Sequence, residues 1–208
     1  MTTPAESDIE QDRCPDCGLL YVHGYAPDER YHRKIHDETL NGHRAKLPDG
    51  FHPVTHESPI SLQKLAQAAA SAAQHETHYD FSSFVAFKKK HDEDKTIAMI
   101  YINAGRVCGL LVTRERECKF TASLNSFHLG GDDSRPTETR DVEPHVRRAV
   151  DMIWVLRKMR NQGVAKGLAQ ALASHCGMKI GDLAHMVPFT ESALNLWKAL
   201  KMSTIYVV

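Results

Sequence analysis

Four residues stand at metal-ligand spacing near the start of the chain: Cys14-x2-Cys17-x14-His32-x3-His36. Two thiolates from a tight knuckle and two imidazoles one helical turn apart can close a tetrahedron around zinc. The elements needed to bring them together are also present. Gly18 permits the knuckle turn, residues 19–22 suit a strand, and Pro27-Asp28-Glu29 opens a helix that Asn41-Gly42 ends. That helix puts His32 and His36 on one face. Four protein ligands leave no position for water, so the expected metal is structural, and a module of about 30 residues could not stay folded without it. A Cys14–Cys17 disulfide or incidental histidines are the alternatives, and His23 and His43 lie close by at spacing that fits less well. The helix mixes Asp28, Glu29, Asp37 and Glu38 with Arg30, Arg33 and Lys34. It has no basic face, and one finger spans only about 3 base pairs, so docking or packing is favoured over reading DNA.

The second chemical signal is the turn Arg160-Asn161-Gln162-Gly163-Val164-Ala165, which follows an apolar strand and opens a helix. Gly163 and Ala165 keep side chains away, so backbone N–H groups at a helix N-terminus can approach an anion. Arg157, Lys158, Arg160 and Lys166 add positive charge there. The alternative is a surface turn with solvated arginines. Cys108, Cys118 and Cys176 lie in or beside apolar strands and a helix end, and are read as buried or incidental.

The 208 residues, 42% hydrophobic and 25% charged, suffice for one full domain and a small appendage. Lys+Arg and Asp+Glu both total 26, so no net charge calls for a nucleic acid or an anionic membrane. No apolar run reaches the roughly 20 residues needed to span a bilayer. The acidic N-terminus lacks the order of a secretory signal, so a cytoplasmic protein (nuclear if eukaryotic) is expected. The pattern divides into a disordered tail (1–12), a Cys2His2 finger (13–42), a linker (43–60) rich in Pro, Gly and His, and a main domain (61–208). In that domain Ser61 caps a helix with Leu62, Leu65, Ala66, Ala69 and Ala73 on one face. Residues 83–87 read as a short strand. Residues 96–102 and 106–113 form a hairpin around Asn103-Ala104-Gly105. Residues 128–148 read as a long mobile loop. Strands at 152–156, 183–187 and 204–208 and helices at 163–175 and from Thr190 complete an α+β fold with a mainly antiparallel sheet.

Three segments resemble the ESCO type of cohesion-establishment N-acetyltransferases: CPDCGLLYVHGYAPDERYHRKIHDETLNG, TIAMIYINAGRVCGLLVTRERE with Val107-x-Gly109, and AVDMIWVLRKMRNQGVAKGL. They cover about half the chain in the family's order. Arg160-x-x-Gly163-x-Ala165 is similar to the acyl-CoA pyrophosphate loop of the GNAT superfamily, and the tail TESALNLWKALKM to the GNAT helix that closes over CoA. The resemblance implies a GNAT fold behind a ββα finger, acetyl-CoA as donor, structural zinc and a protein lysine as acceptor. It places acetyl-CoA along Ile153, Trp154, Val155 and Leu156 and over Arg160, Asn161, Gln162, Gly163, Val164 and Ala165. The pantetheine arm would enter the notch between 152–156 and 183–187.

The chain departs from the family where proton transfer is concerned. The family's glutamate and aspartate fall at Gln170 and Val187, and Trp197 takes the place where many GNAT enzymes carry a tyrosine acid. An indole cannot deliver a proton usefully. A lysine amine has a reference pKa near ~10.4, so some group must accept its proton. Glu191, four residues beyond Val187, is the first candidate, followed by Asp151 and by His128 or His145. An acidic residue in a helix's first turn is equally explained by the dipole alone. Acetylation of a small-molecule or RNA-borne amine, or a non-catalytic adaptor, are the competing functions.

Overall fold

The computed structural model describes residues 11–77, 95–127, 135–187 and 190–208. The chain begins with a small hairpin, β1 (Gln11–Arg13) against β2 (Leu20–Val22), and a helix, α1 (Ala26–Asn41). Pro27 sits in the first turn of α1, and Gly42 ends the helix at φ 80° with its N–H on the Glu38 carbonyl. Residues 11 and 12, the described part of the expected tail (1–12), lie in strand β1.

A six-stranded sheet follows: β3 (Gly50–Val54), β4 (Ile97–Asn103), β5 (Arg106–Ser123), β6 (Arg140–Val155), β7 (Ala184–His185) and β8 (Thr204–Val207), in that spatial order. Neighbours from β3 to β6 are antiparallel, and β6–β7 and β7–β8 are parallel. The far end of β5 also pairs with β8, so β5, β6, β7 and β8 close on themselves around Cys118, Ala149 and Ala184. α2 (Ile60–Thr77) covers one face. Its Ala66, Ala69, Ala70 and Ala73 are buried against Val54, Leu110, Val112 and Trp154, and such small side chains let the helix sit close to the strands. α3 (Val164–His175) and α4 (Glu191–Ala199) cover the other face through Leu168, Leu172, Leu194 and Trp197.

Residues 43–60, read as a linker, are structured. β3 pairs along β4, His43 and Ala45 bond to Val107 and Gly105, and the Asp49 carboxylate accepts from the N–H groups of Ala104 and Gly105. No apolar alternation announces this strand, because it lies at the sheet edge and is stapled by its backbone. The expected hairpin forms around Ala104 (φ 50°) and Gly105 (φ 65°), but β5 runs ten residues further than its apolar stretch. The expected loop is likewise overturned over 140–148, which is the first half of β6. The two polar segments pair as a ribbon through their backbones, with one opposite-charge pair, Glu115 facing Arg148 with their side chains 3.4 Å apart. The strand expected at 83–87 lies outside the described residues.

Candidate active site and metal centre

The ligand atoms of Cys14, Cys17, His32 and His36 all lie within 4.8 Å of one another. The knuckle is tied by Gly18 N–H to Cys14 O (2.9 Å) and Cys14 N–H to Leu19 O (3.0 Å). Tyr21 stacks on His32 at 4.0 Å and holds its ring. The residues fit zinc on two further counts. His32 Nε2 is buried with no hydrogen-bond partner, an orphan that a metal bond satisfies. Burial of the Cys14 thiol opposes ionisation, yet the backbone N–H groups of Cys17 and Asp16 and the His32 and His36 imidazoles outweigh it and bring its pKa down to about 6. The helix that carries both histidines buries none of its own residues. No apolar core holds α1 on the hairpin, so zinc at this site supplies the missing folding energy.

In the main sheet, β6 and β7 pair only at Ala149–Ala184 and Val150–His185, where Met186 N–H still bonds to Val150 O. Beyond that the strands no longer pair. A cleft of about 820 Å³ opens between them, walled by residues 150–155, residues 185–187 and α4. At its mouth lies the turn into α3. Asn161 (φ 62°) and Gly163 (φ 80°) both take left-handed backbone, and Gly163 caps α3 with no side chain on the first N–H groups. A β-carbon on Gly163 would meet nothing within 4 Å, so the cleft is open at the free amides. α3 is seated close beneath. A β-carbon on Gly109 would come within 3.0 Å of Leu168 and Val164, and one on Gly167 within 2.4 Å of the Phe51 ring.

Of the residues predicted for the donor, Ile153, Trp154, Val155, Arg160, Asn161, Gly163, Val164 and Ala165 line this cleft. Leu156 is buried beneath it, and Gln162 turns outward, its amide donating to Lys158 O. Among the predicted proton acceptors, Asp151 lines the cleft, its Oδ2 3.0 Å from Arg114 Nε. Glu191 stands in the first turn of α4 with an exposed side chain and is not among the lining residues. His145 is exposed on β6 opposite Cys118, also away from the cleft. His128 lies outside the described residues. Val187 lines the cleft, Gln170 is exposed on α3, and Trp197 is buried against the cleft's floor.

Two residues that sequence reasoning missed are built into this site. Glu76, near the end of α2, accepts from Trp154 Nε1 (2.8 Å), Arg157 Nε (2.7 Å) and Arg160 Nη2. Burial alone would raise its carboxyl, but those three donors hold it below the ordinary range. Nothing in the sequence around Glu76 points at arginines some eighty residues on. His185, a lone histidine in the apolar run Leu183-Ala-His-Met-Val187, is wholly buried in the cleft floor with its ring 4.3 Å from Trp197. Desolvation pushes its pKa down to about 3.

The family model described as the zinc-finger of acetyl-transferase ESCO matches residues 5–38. Among solved structures, the chain is similar to the xEco2 acetyltransferase domain bound to a lysine–CoA conjugate, at TM-score 0.58 and 17% identity, over 79% of this chain and 95% of that one. A second structure of the xEco2 acetyltransferase domain aligns at TM-score 0.56 and 16% identity, over 80% and 96%. Comparison with curated protein sequences gives no significant match. The finger's ligand cluster, the splayed strands with the glycine turn at their mouth and these two likenesses agree: a zinc finger matching the ESCO finger model stands ahead of a domain with the fold of the xEco2 acetyltransferase domain.

Proposed function

We propose that the protein is an acetyl-CoA-dependent N-acetyltransferase that acetylates a lysine amine of a protein substrate. The observation that carries this reading is the cleft between the parted strands β6 and β7, with the side-chain-free amides of the Gly163 turn at one end. The amides of Gly163, Val164 and Ala165 meet the donor's pyrophosphate, and Arg160 and Lys166 add charge beside it. The pantetheine arm runs along the edge of residues 153–155 that faces away from β5, where an N–H group can polarise the thioester carbonyl.

The acceptor amine must lose a proton before it attacks. Asp151 takes that proton in this reading, directly or through one water, since it is the only carboxylate among the described cleft-lining residues. His185 is wholly buried against Trp197 and serves as floor. Attack on the carbonyl forms the amide bond, breaks the C–S bond and releases CoA as the thiol. None of the described helices is long and apolar enough to cross a membrane.

The test is incubation of the zinc-loaded protein with acetyl-CoA and a panel of lysine peptides, followed by mass spectrometry. Transfer to lysine side chains at a rate above the uncatalysed background is expected. Free CoA released without any acetylated lysine, or none released at all, would contradict the lysine assignment.

A further inference from the structure

The zinc finger does not hang free of the cleft. The C-terminal turn of α1 is tied by side-chain hydrogen bonds to the β4–β5 hairpin and to the short 3-10 turn Arg157–Met159 that leads into the Gly163 turn. Arg106 Nη1 donates to Asp37 Oδ2 and to Gly42 O, each at 2.9 Å. Asp37 Oδ1 accepts from Asn41 Nδ2 at 2.8 Å, and Asn41 Oδ1 accepts from Lys158 Nζ at 2.8 Å. The Lys158 carbonyl in turn accepts from Gln162 inside the turn. Its neighbour Met159 lines the cleft, and Arg157 on its other side is held by Glu76. The approach to the Gly163 turn is therefore gripped from two sides, by Glu76 of α2 and by Asn41 of the finger.

The finger's grip depends on the metal. Asp37 and Asn41 lie one and five residues beyond His36 on a helix that has no fully buried residue, its last turns half-buried. Zinc bound at His32 and His36 orders that helix; without it, Asp37 and Asn41 lose their fixed position. We infer that Asn41 and Lys158 are positioning residues that couple the zinc site to the donor turn, so that metal occupancy of the finger sets the affinity for acetyl-CoA. Linkage then requires the reverse effect, bound acetyl-CoA tightening zinc by the same factor. This inference rests on the proposed donor site.

Two binding readouts test it on the full chain: acetyl-CoA affinity by calorimetry, and zinc release to a colorimetric chelator with and without saturating acetyl-CoA. In the wild type, acetyl-CoA is expected to tighten zinc about fivefold or more, read from zinc release to the chelator at equilibrium. Asn41→Ala lies outside the cleft and should keep one zinc, yet weaken acetyl-CoA by about fivefold and lose the protection. Lys158→Ala should do the same, and the double variant should be no worse than either alone, because one bond is being removed. A purely structural role for these residues would lower the melting temperature without abolishing the effect of acetyl-CoA on zinc release. If Asn41→Ala binds acetyl-CoA as the wild type does, or zinc release is indifferent to acetyl-CoA that demonstrably binds, the coupling is wrong and the donor site stands. If the wild type binds no acetyl-CoA, the donor site and the coupling fall together.

Discussion

A β-carbon at position 42 would lie 2.1 Å from the carbonyl oxygen of Val107. Gly42 is the point where the finger helix ends and the chain turns onto β5, and its φ of 80° already excludes most side chains. Gly42→Ala must therefore push the strand and the finger apart or strain the backbone. We expect a loss of about 3 kcal/mol in unfolding free energy, read by urea denaturation of the zinc-loaded protein. A change within about 0.5 kcal/mol would mean that the finger does not approach β5 so closely.

His185 imposes a pH dependence whose sign follows from its burial. Its pKa drops from the ordinary 6.5 to about 3 on folding. Between those values the unfolded chain binds a proton that the native one does not. Stability should be full above pH 6.5 and decline toward pH 3 by up to ~1.4 kcal/mol per pH unit. The wild type minus His185→Phe difference isolates this from acid release of zinc. A difference that stays flat across that range would contradict the buried neutral imidazole.

For the finger, one zinc per chain is expected. Cys17→Ala or His36→Ala should lose the metal and expose residues 11–42 to hydrogen exchange, while the main sheet stays protected. Metal analysis of the purified wild type without stoichiometric zinc would contradict the site.

Much of this was legible in local spacing, and what was not has a common cause. Cys14, Cys17, His32 and His36 sit on one knuckle and one helix, so their geometry follows from short-range periodicity, and the same holds for the strand, turn and helix around Gly163. The failures all concern partners distant in sequence. Residues 140–148 look polar and loop-like until β5 supplies a facing strand for their backbone to pair with. β3 lacks alternation because backbone pairing with β4, rather than a buried face, holds it. Glu76 becomes part of the donor turn only when α2 lies across β6, and Glu191 fits helix capping by Thr190 in α4 better than it fits the cleft.

Asp151 and Glu191 are separable by kinetics. In single-turnover acetylation of a lysine peptide, Asp151→Asn should slow transfer by about a hundredfold or more while leaving acetyl-CoA affinity near that of the wild type. Glu191→Gln should be close to neutral. Full activity in Asp151→Asn would move the proton acceptor elsewhere, and a large loss in Glu191→Gln would return it to α4.

Glu76→Gln keeps the shape of the side chain and removes the charge that Arg157 and Arg160 face. Because folding lowers the Glu76 pKa, its contribution is present above the unfolded carboxyl's titration near pH 4.5 and vanishes as pH falls through the lower folded value. The variant should be less stable than the wild type at pH 7, by about 2 kcal/mol, with the gap closing in acid. A pH-independent gap would rule out the charged clamp.

The central claim is that the donor binds across the Gly163 turn, and calorimetric titration of acetyl-CoA into wild type and Gly163→Glu tests it most directly. A glutamate there strains a left-handed backbone and sets a negative charge where the pyrophosphate belongs. One acetyl-CoA per wild-type chain and an affinity reduced by about a hundredfold or more in the folded, zinc-loaded variant is the expected result. Equal affinity in the two proteins would place the donor elsewhere, and a wild type that binds no acetyl-CoA would contradict the account outright.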